Sequence, residues 1–190
     1  MTIAPAELVA AVKSGDTAAV AARLRTDPAL AGATDDTGLS LTLLALFHMK
    51  REAADAILAA GPELGVLEAA ATGDAARLEA LLTEDPGRLG ERTPEGFDPI
   101  GLAAFLGGPD AVRVLLAHGA DPDGDPGNPM RSRPVHAASA AGDNASLRLL
   151  LEAGADPNAE QQGGFTPLDA ADRLGDEEMR ALLVRHGARC

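Results

Sequence analysis

An all-α fold of stacked helix–turn–helix units is what this chain predicts, and three observations predict it. The first is self-similarity. Residues 7–64 moved along by 58 fall on 65–122 without a gap, with identities at Ala11/Ala69, Gly15/Gly73, Asp16/Asp74, Leu24/Leu82, Asp27/Asp85, Pro28/Pro86, Gly38/Gly96, Phe47/Phe105 and Gly61/Gly119. A period of about 20–50 residues, or a doublet of one, marks supersecondary units that bury their apolar faces only against one another. The second is a shorter motif. Asp98-Pro-Ile-Gly-Leu-Ala-Ala-Phe-Leu-Gly107 returns as Arg133-Pro-Val-His-Ala-Ala-Ser-Ala-Ala-Gly142 and Thr166-Pro-Leu-Asp-Ala-Ala-Asp-Arg-Leu-Gly175, so the closing glycines stand 35 and 33 residues apart. The third is another glycine twelve residues after each of these, Gly119, Gly154 and Gly187, set in His118-Gly-Ala-Asp-Pro, Ala153-Gly-Ala-Asp-Pro-Asn and His186-Gly-Ala.

Each element has a physical reason. Pro99, Pro134 and Pro167 suit the first turn of a helix, where the N–H that proline lacks has no intrahelical partner anyway. The alanine pairs behind them (Ala103-Ala104, Ala137-Ala138, Ala170-Ala171) let neighbouring helices approach closely. Each first helix then stops on Gly, which accepts the left-handed conformation of a helix C-terminus. In four places that Gly is followed by Asp (Asp16, Asp74, Asp143, Asp176), a side chain that caps the next helix by accepting from its free N–H groups. The second helices carry apolar residues at helical spacing, as in Val112, Leu115, Leu116 and Leu147, Leu150, Leu151. The spacing predicts helix pairs at 5–14/16–26, 41–49/52–60, 66–72/74–84, 99–106/109–118, 134–141/144–152 and 167–174/177–186.

The inner glycine positions are Gly15, Met49 (in place of Gly), Gly73, Gly107, Gly142 and Gly175, stepping by 34, 24, 34, 35 and 33 residues. The short step predicts that residues 61–66 form a tight connection with no hairpin finger. Units one and three end in Thr26-Asp27-Pro28 and Glu84-Asp85-Pro86 rather than Gly-Ala-Asp. Terminal repeats face water on one side, so Arg23 and Arg180, standing where inner units have leucine or valine, are expected to be exposed caps.

On these motifs the chain resembles the ankyrin repeat family, of the bacterial type. Gly164-Phe-Thr-Pro-Leu-Asp-Ala-Ala keeps nearly the whole signature, and the resemblance spans essentially all 190 residues. It implies one ankyrin-repeat solenoid domain over 1–190, all-α with short hairpin loops, divided at about 1–34, 35–64, 65–92, 93–127, 128–160 and 161–190. It also implies a non-catalytic module that binds a partner protein through its concave face, made of hairpin tips and first-helix ends. Carried onto this sequence, the pattern marks Phe47, His48, Phe97, Phe105, Leu106, Met130, Arg131, Phe165, Arg173 and Leu174 as partner-binding residues, with Leu39 and Ala71 among further positions of the same kind.

Composition narrows the function. Sixteen Lys+Arg against 29 Asp+Glu give a formal net charge of −13. Such a field repels phosphate backbones and anionic membranes, so nucleic acid and membrane partners are not expected. No apolar run approaches the ~18 residues of a membrane span. Residues 1–16 carry Glu7 and Lys13 within the apolar stretch and no cationic lead, unlike a cleaved signal. The single cysteine, Cys190, excludes an internal disulfide framework, fits a reducing cytoplasmic compartment and reads as an incidental thiol. Only two of the sixteen cations are lysines (Lys13, Lys50), a usage that points to a GC-rich, bacterial source. A monomer without cofactor is expected.

Catalytic motifs are absent: there is no Gly-Lys-Ser/Thr loop and no paired cysteine. His118 and His186 precede helix-ending glycines, where positive charge suits the helix C-terminus. By the resemblance, His136 stands at a structural, hydrogen-bonding position; His48 has no such role. Asp121-Pro-Asp-Gly-Asp125 suggests a calcium loop, but its Gly is misplaced and Ser132 stands where glutamate is needed, so an acidic turn is expected. Aromatic content is 2%, all of it the four phenylalanines 47, 97, 105 and 165, and none falls in a second helix. Exposed aromatics are what an interface hot spot uses; packing between fingers is the other reading of the same residues. Two rival functions stay open: an antitoxin- or immunity-like inhibitor masking a basic partner, and an accessory subunit of an enzyme.

Overall fold

A computed structural model describes residues 2–124 and 127–189. Asp125 of the acidic turn and the thiol of Cys190 lie outside the described residues. The chain divides into two compact units, Met1–Glu68 and Ala69–Cys190.

The first unit holds α1 (Ala6–Ser14), α2 (Thr17–Thr26), α3 (Leu41–Phe47), α4 (Arg51–Ala59) and the start of α5 (Val66–Thr72), within which the division falls. The first helices α1 and α3 pack on one another, the second helices α2 and α4 do likewise, and each first helix packs on its second. Val12, Val20, Leu41, Ala45 and Ile57 are fully buried in the resulting two-layer core. After α2 the Asp27-Pro28 sequence turns the chain into a 3-10 helix, Pro28–Gly32. Lys50 crosses the turn after α1, where a Cβ on Gly15 would lie 2.8 Å from its Cδ. Between α4 and α5 the chain needs only residues 60–65, without a strand, as the short step predicts.

The second unit completes α5 and adds α6 (Ala75–Glu84), α7 (Pro99–Leu102), α8 (Pro109–Ala117), α9 (Pro134–Ala141), α10 (Asn144–Glu152), α11 (Pro167–Leu174) and α12 (Glu177–Arg185). Its second helices stack in sequence order, α6 on α8, α8 on α10 and α10 on α12. In the other layer, α7 and the π-helical turn after it pack on α9, and α9 on α11. Leu78, Leu82, Val112, Leu115, Leu147, Leu150, Met179 and Leu183 are fully buried between the layers. Another 3-10 helix, Pro86–Gly90, follows α6 after the matching Asp85-Pro86.

The aspartates do what their position requires. Asp16 accepts from Ala19 N–H at 3.0 Å, Asp74 from Arg77 at 2.9 Å, Asp143 from Ser146 at 3.0 Å and Asp176 from Met179 at 2.9 Å. Each holds the first turn of a second helix and is worth about 1 kcal/mol. The preceding helices close with one repeated bond, a backbone N–H donating to an alanine carbonyl five residues back. The pairs are Asp16–Ala11, Lys50–Ala45, Asp74–Ala69, Gly108–Ala103, Asp143–Ala138 and Asp176–Ala171. Met49 adopts φ 57, the left-handed conformation that glycine takes at Gly15, Gly73, Gly142 and Gly175. It therefore does stand in a glycine position.

Gly107 departs from the expectation. The left-handed turn does not form there; α7 instead widens into a π-helical turn over Ala103–Gly107, and the positive φ of 86 moves to Gly108. Pro109 is the reason. Proline disfavours the helical region for the residue before it, and Gly108 answers with ψ −176, a region essentially restricted to glycine. Gly107 is kept by proximity: a Cβ there would lie 1.9 Å from the Ala70 carbonyl oxygen. The expected caps also differ from one another. Arg23 is exposed, whereas the Arg180 side chain keeps 36% of its surface and is ion-paired with Asp172.

Candidate functional site

Between helix pairs the chain makes five-residue loops of one geometry. In Asp35–Leu39, Thr93–Phe97 and Gln161–Phe165 the first N–H donates to the last carbonyl, at 2.8, 3.0 and 3.0 Å. The fourth residue is Gly38, Gly96 or Gly164, each at positive φ. The loop Asn128–Ser132 is the variant. Here the buried Asn128 side chain closes the turn, accepting from Ser132 N–H at 3.0 Å and donating to its carbonyl at 2.8 Å. Its fourth residue is Arg131, held at φ 51. Spacing contained this signal: Gly96, Arg131 and Gly164 stand 35 and 33 residues apart, in step with the closing glycines. Sequence reasoning placed Arg131 on the surface and missed that it occupies a glycine's backbone conformation.

These loops join one another in the second unit. Gln162 N–H donates to the Met130 carbonyl at 2.8 Å, tying the two later loops together. A Cβ on Gly96 would lie 2.8 Å from the Gly127 carbonyl, so the Phe97 loop abuts the next one by backbone contact. Met130 and Arg131 point into solvent, Met130 keeping 52% of its surface. Phe165 keeps 50%, and the Arg173 guanidinium lies 5.7 Å from its ring centroid, a cation–π contact. Leu174 at the end of α11 keeps 54%, and Phe105 on the π-helical turn keeps 40%. Leu106 and Phe97 are half-buried. Between α9 and α11 lies a groove of about 130 Å³ lined by His136, Ala140, Thr166, Ala170, Arg173 and Leu174.

Phe47 and His48 belong to the first unit, where Phe47 is half-buried and His48, at the C-terminus of α3, is exposed. Leu39 and Ala71 correct the expectation of exposure: both are buried, Leu39 at 3% and Ala71 at 0%. Leu39 is the last residue of its loop and turns inward, while Ala71 faces its neighbours from within α5.

His136 sets the geometry at the base of the groove. Its Nδ1 accepts from Arg133 N–H at 3.1 Å, and its Nε2–H donates to the Ala159 carbonyl at 2.9 Å. Burial pushes its pKa below the ordinary histidine value, since the imidazolium loses hydration there. It is a neutral strut. Asp169 holds the start of α11, accepting from the Thr166 N–H and hydroxyl at 2.7 and 2.8 Å. Those two bonds, then the nearby Arg173 charge, outweigh burial and lower its pKa. Among the described residues no three His, Cys, Asp or Glu side chains are placed to hold a metal ion. No helix among them is long and apolar enough to cross a membrane.

Comparison with known proteins agrees with this geometry. The family model described as ankyrin repeats (3 copies) matches residues 66–161, just over half of the chain. No curated protein is matched. With helix pairs, glycine-closed turns and recurring loops in register with that match, the chain belongs to the ankyrin repeat family.

Proposed function

We propose that this chain is a non-catalytic protein-binding module and that its second unit receives the partner on the loop and first-helix-end surface. Ankyrin repeats are generally protein–protein interaction modules. The observation that carries the finer reading is the exposure of Phe105, Met130, Phe165 and Leu174 on that surface, while the second helices α6, α8 and α10 turn leucine and valine inward. Exposed apolar and aromatic residues set beside arginines are the composition of an interface hot spot. Phe97, Leu106, Arg131 and Arg173 complete the proposed surface, and Phe47 with His48 extends the same role to the first unit.

The test separates binding from folding. The full chain is used to capture partners from the native host, and the identified partner is titrated against wild type, Phe105→Ala and Phe165→Ala. A hot-spot phenylalanine costs on the order of 2 kcal/mol in binding when truncated. A solvent-facing one moves folding stability by only about 0.5 kcal/mol. Lost affinity at nearly unchanged melting temperature supports the reading. Unchanged affinity with a large loss of stability makes the phenylalanines packing residues and refutes it.

A further inference from the structure

We propose that the groove between α9 and α11 receives one large apolar side chain from an acidic segment of the partner, whose carboxylate pairs with Arg173 or Arg131. The proposal rests on the partner-binding function above and names the chemistry of the occupant.

Three observations carry it. The first is size. At about 130 Å³ the groove is close to the ~150 Å³ of an apolar cavity that takes a benzene-sized guest, so it holds one leucine-, methionine- or phenylalanine-sized group. Its walls offer apolar contact to such a group: Ala140 and Ala170 give small apolar sides and Leu174 an exposed apolar rim, while His136, Gln161 and Thr166 add polar atoms and Phe165 contacts the lining Arg173.

The second is charge. In a chain of formal net charge −13, this surface presents Arg131 and Arg173, and among the described residues neither lies within ion-pair distance of a carboxylate. Of the acids closest in sequence, Asp172 is paired with Arg180, and Asp169 feels the Arg173 charge but accepts its hydrogen bonds from Thr166. Glu95 is the acid within the loops of the second unit, and Glu160 immediately precedes the last of them. Arg173 rests on the Phe165 ring, which restrains its planar guanidinium while leaving its N–H groups free for a carboxylate. A guanidinium in the lining of the groove, in contact with an exposed aromatic ring and close to Leu174, matches a segment that places Asp or Glu near a large apolar residue.

The third is backbone cost. Arg131 occupies a left-handed conformation that glycine fills in the three sister loops, and Asn128 clamps the loop around it. Strain of this kind persists where the surroundings over-determine it, and it clusters at binding surfaces. Outward presentation of a cation is what the substitution of Arg for Gly achieves here.

The experiment is selection of the full-length chain against a random dodecapeptide phage library, with parallel selections on Arg173→Glu and Phe165→Ala, each first checked for a native melting transition. Wild type is expected to enrich peptides pairing Asp or Glu with Leu, Met or Phe. A synthetic peptide of that sequence should bind at least ~10-fold more weakly to each variant. Arg173→Glu should enrich Lys- or Arg-bearing peptides instead. Enriched peptides that lack acids but still lose affinity in Phe165→Ala overturn the acidic occupant and leave the surface standing. Peptides that bind wild type and both variants alike overturn occupant and surface together. The acidic occupant is equally overturned by the absence of enrichment over a bait-free control, or by preferential binding to phosphatidylglycerol vesicles or an oligonucleotide.

Discussion

Replacing Arg131 by glycine should stabilise the fold while weakening the proposed interface. Arg131 sits at φ 51 in a loop whose three counterparts carry Gly38, Gly96 and Gly164 at the same place. A left-handed conformation costs a residue with a Cβ roughly 1–2 kcal/mol. Glycine removes that cost but loses more chain entropy on folding, about 0.4–1 kcal/mol. The side chain itself contributes little to the folded state, since it is exposed and has no ion pair among the described residues. The Asn128 clamp uses only the Asn128 side chain and the Ser132 backbone, so it survives the change. The net is a gain of roughly 0–1.6 kcal/mol, centred on about 0.8, which for a chain of this length raises the melting temperature by up to about 6 °C. The assay is paired: thermal unfolding by circular dichroism, and titration of a binder recovered by the selection above. A lower melting temperature for Arg131→Gly would refute the strain argument. A stabilised variant with unchanged binding would remove Arg131 from the interface.

Gly107→Ala should destabilise by about 1–3 kcal/mol, as overpacking does, because the new Cβ meets the Ala70 carbonyl at 1.9 Å; Gly90→Ala, with open space around it, is the neutral control in denaturant titration. Asp143→Ala removes the acceptor for Ala145 and Ser146 N–H and should cost on the order of 1 kcal/mol, read from the shift in urea midpoint at constant slope. Acid sensitivity should come in two ranges. The folded pKa of His136 lies below the 6.5 of the unfolded chain, so its stabilisation is complete above pH 6.5 and is lost as pH falls towards the folded value. A flatter stability profile between pH 7 and 5 in His136→Gln would bear this out; an identical slope would contradict it. Asp35, Asp169 and Asp176 are also held below the ordinary 3.8, so what they contribute is present above that pH and fades as pH falls through their folded values.

Local chemistry recurring in register was legible in the chain itself. Proline at a first turn, glycine at a helix end and aspartate after it act within a few residues of their own backbone, so helix limits followed from spacing to within a residue or two, except at α7, which gives way to the π-helical turn four residues before the expected end. Met49 in a glycine position was legible for the same reason, as was the short link between α4 and α5. The resemblance to ankyrin repeats marked Phe105, Met130, Phe165 and Leu174, which are exposed, together with Phe47, Phe97 and Leu106, which are half-buried. What spacing could not decide were outcomes set by neighbours distant along the chain. The π-helical turn at Ala103–Gly107 depends on Pro109 ahead of it and on the Ala70 carbonyl pressing against Gly107. The inward turn of Leu39 and the burial of Ala71 depend on which face the packed layers cover. The cation–π contact of Arg173 with Phe165 and the groove that Arg173 lines need α9, α11 and their loops docked together. The sequence alone determined the repeat, because its signals are local and repeated. The surface was decided by tertiary structure, because which atoms remain exposed is settled only when every neighbour is in place.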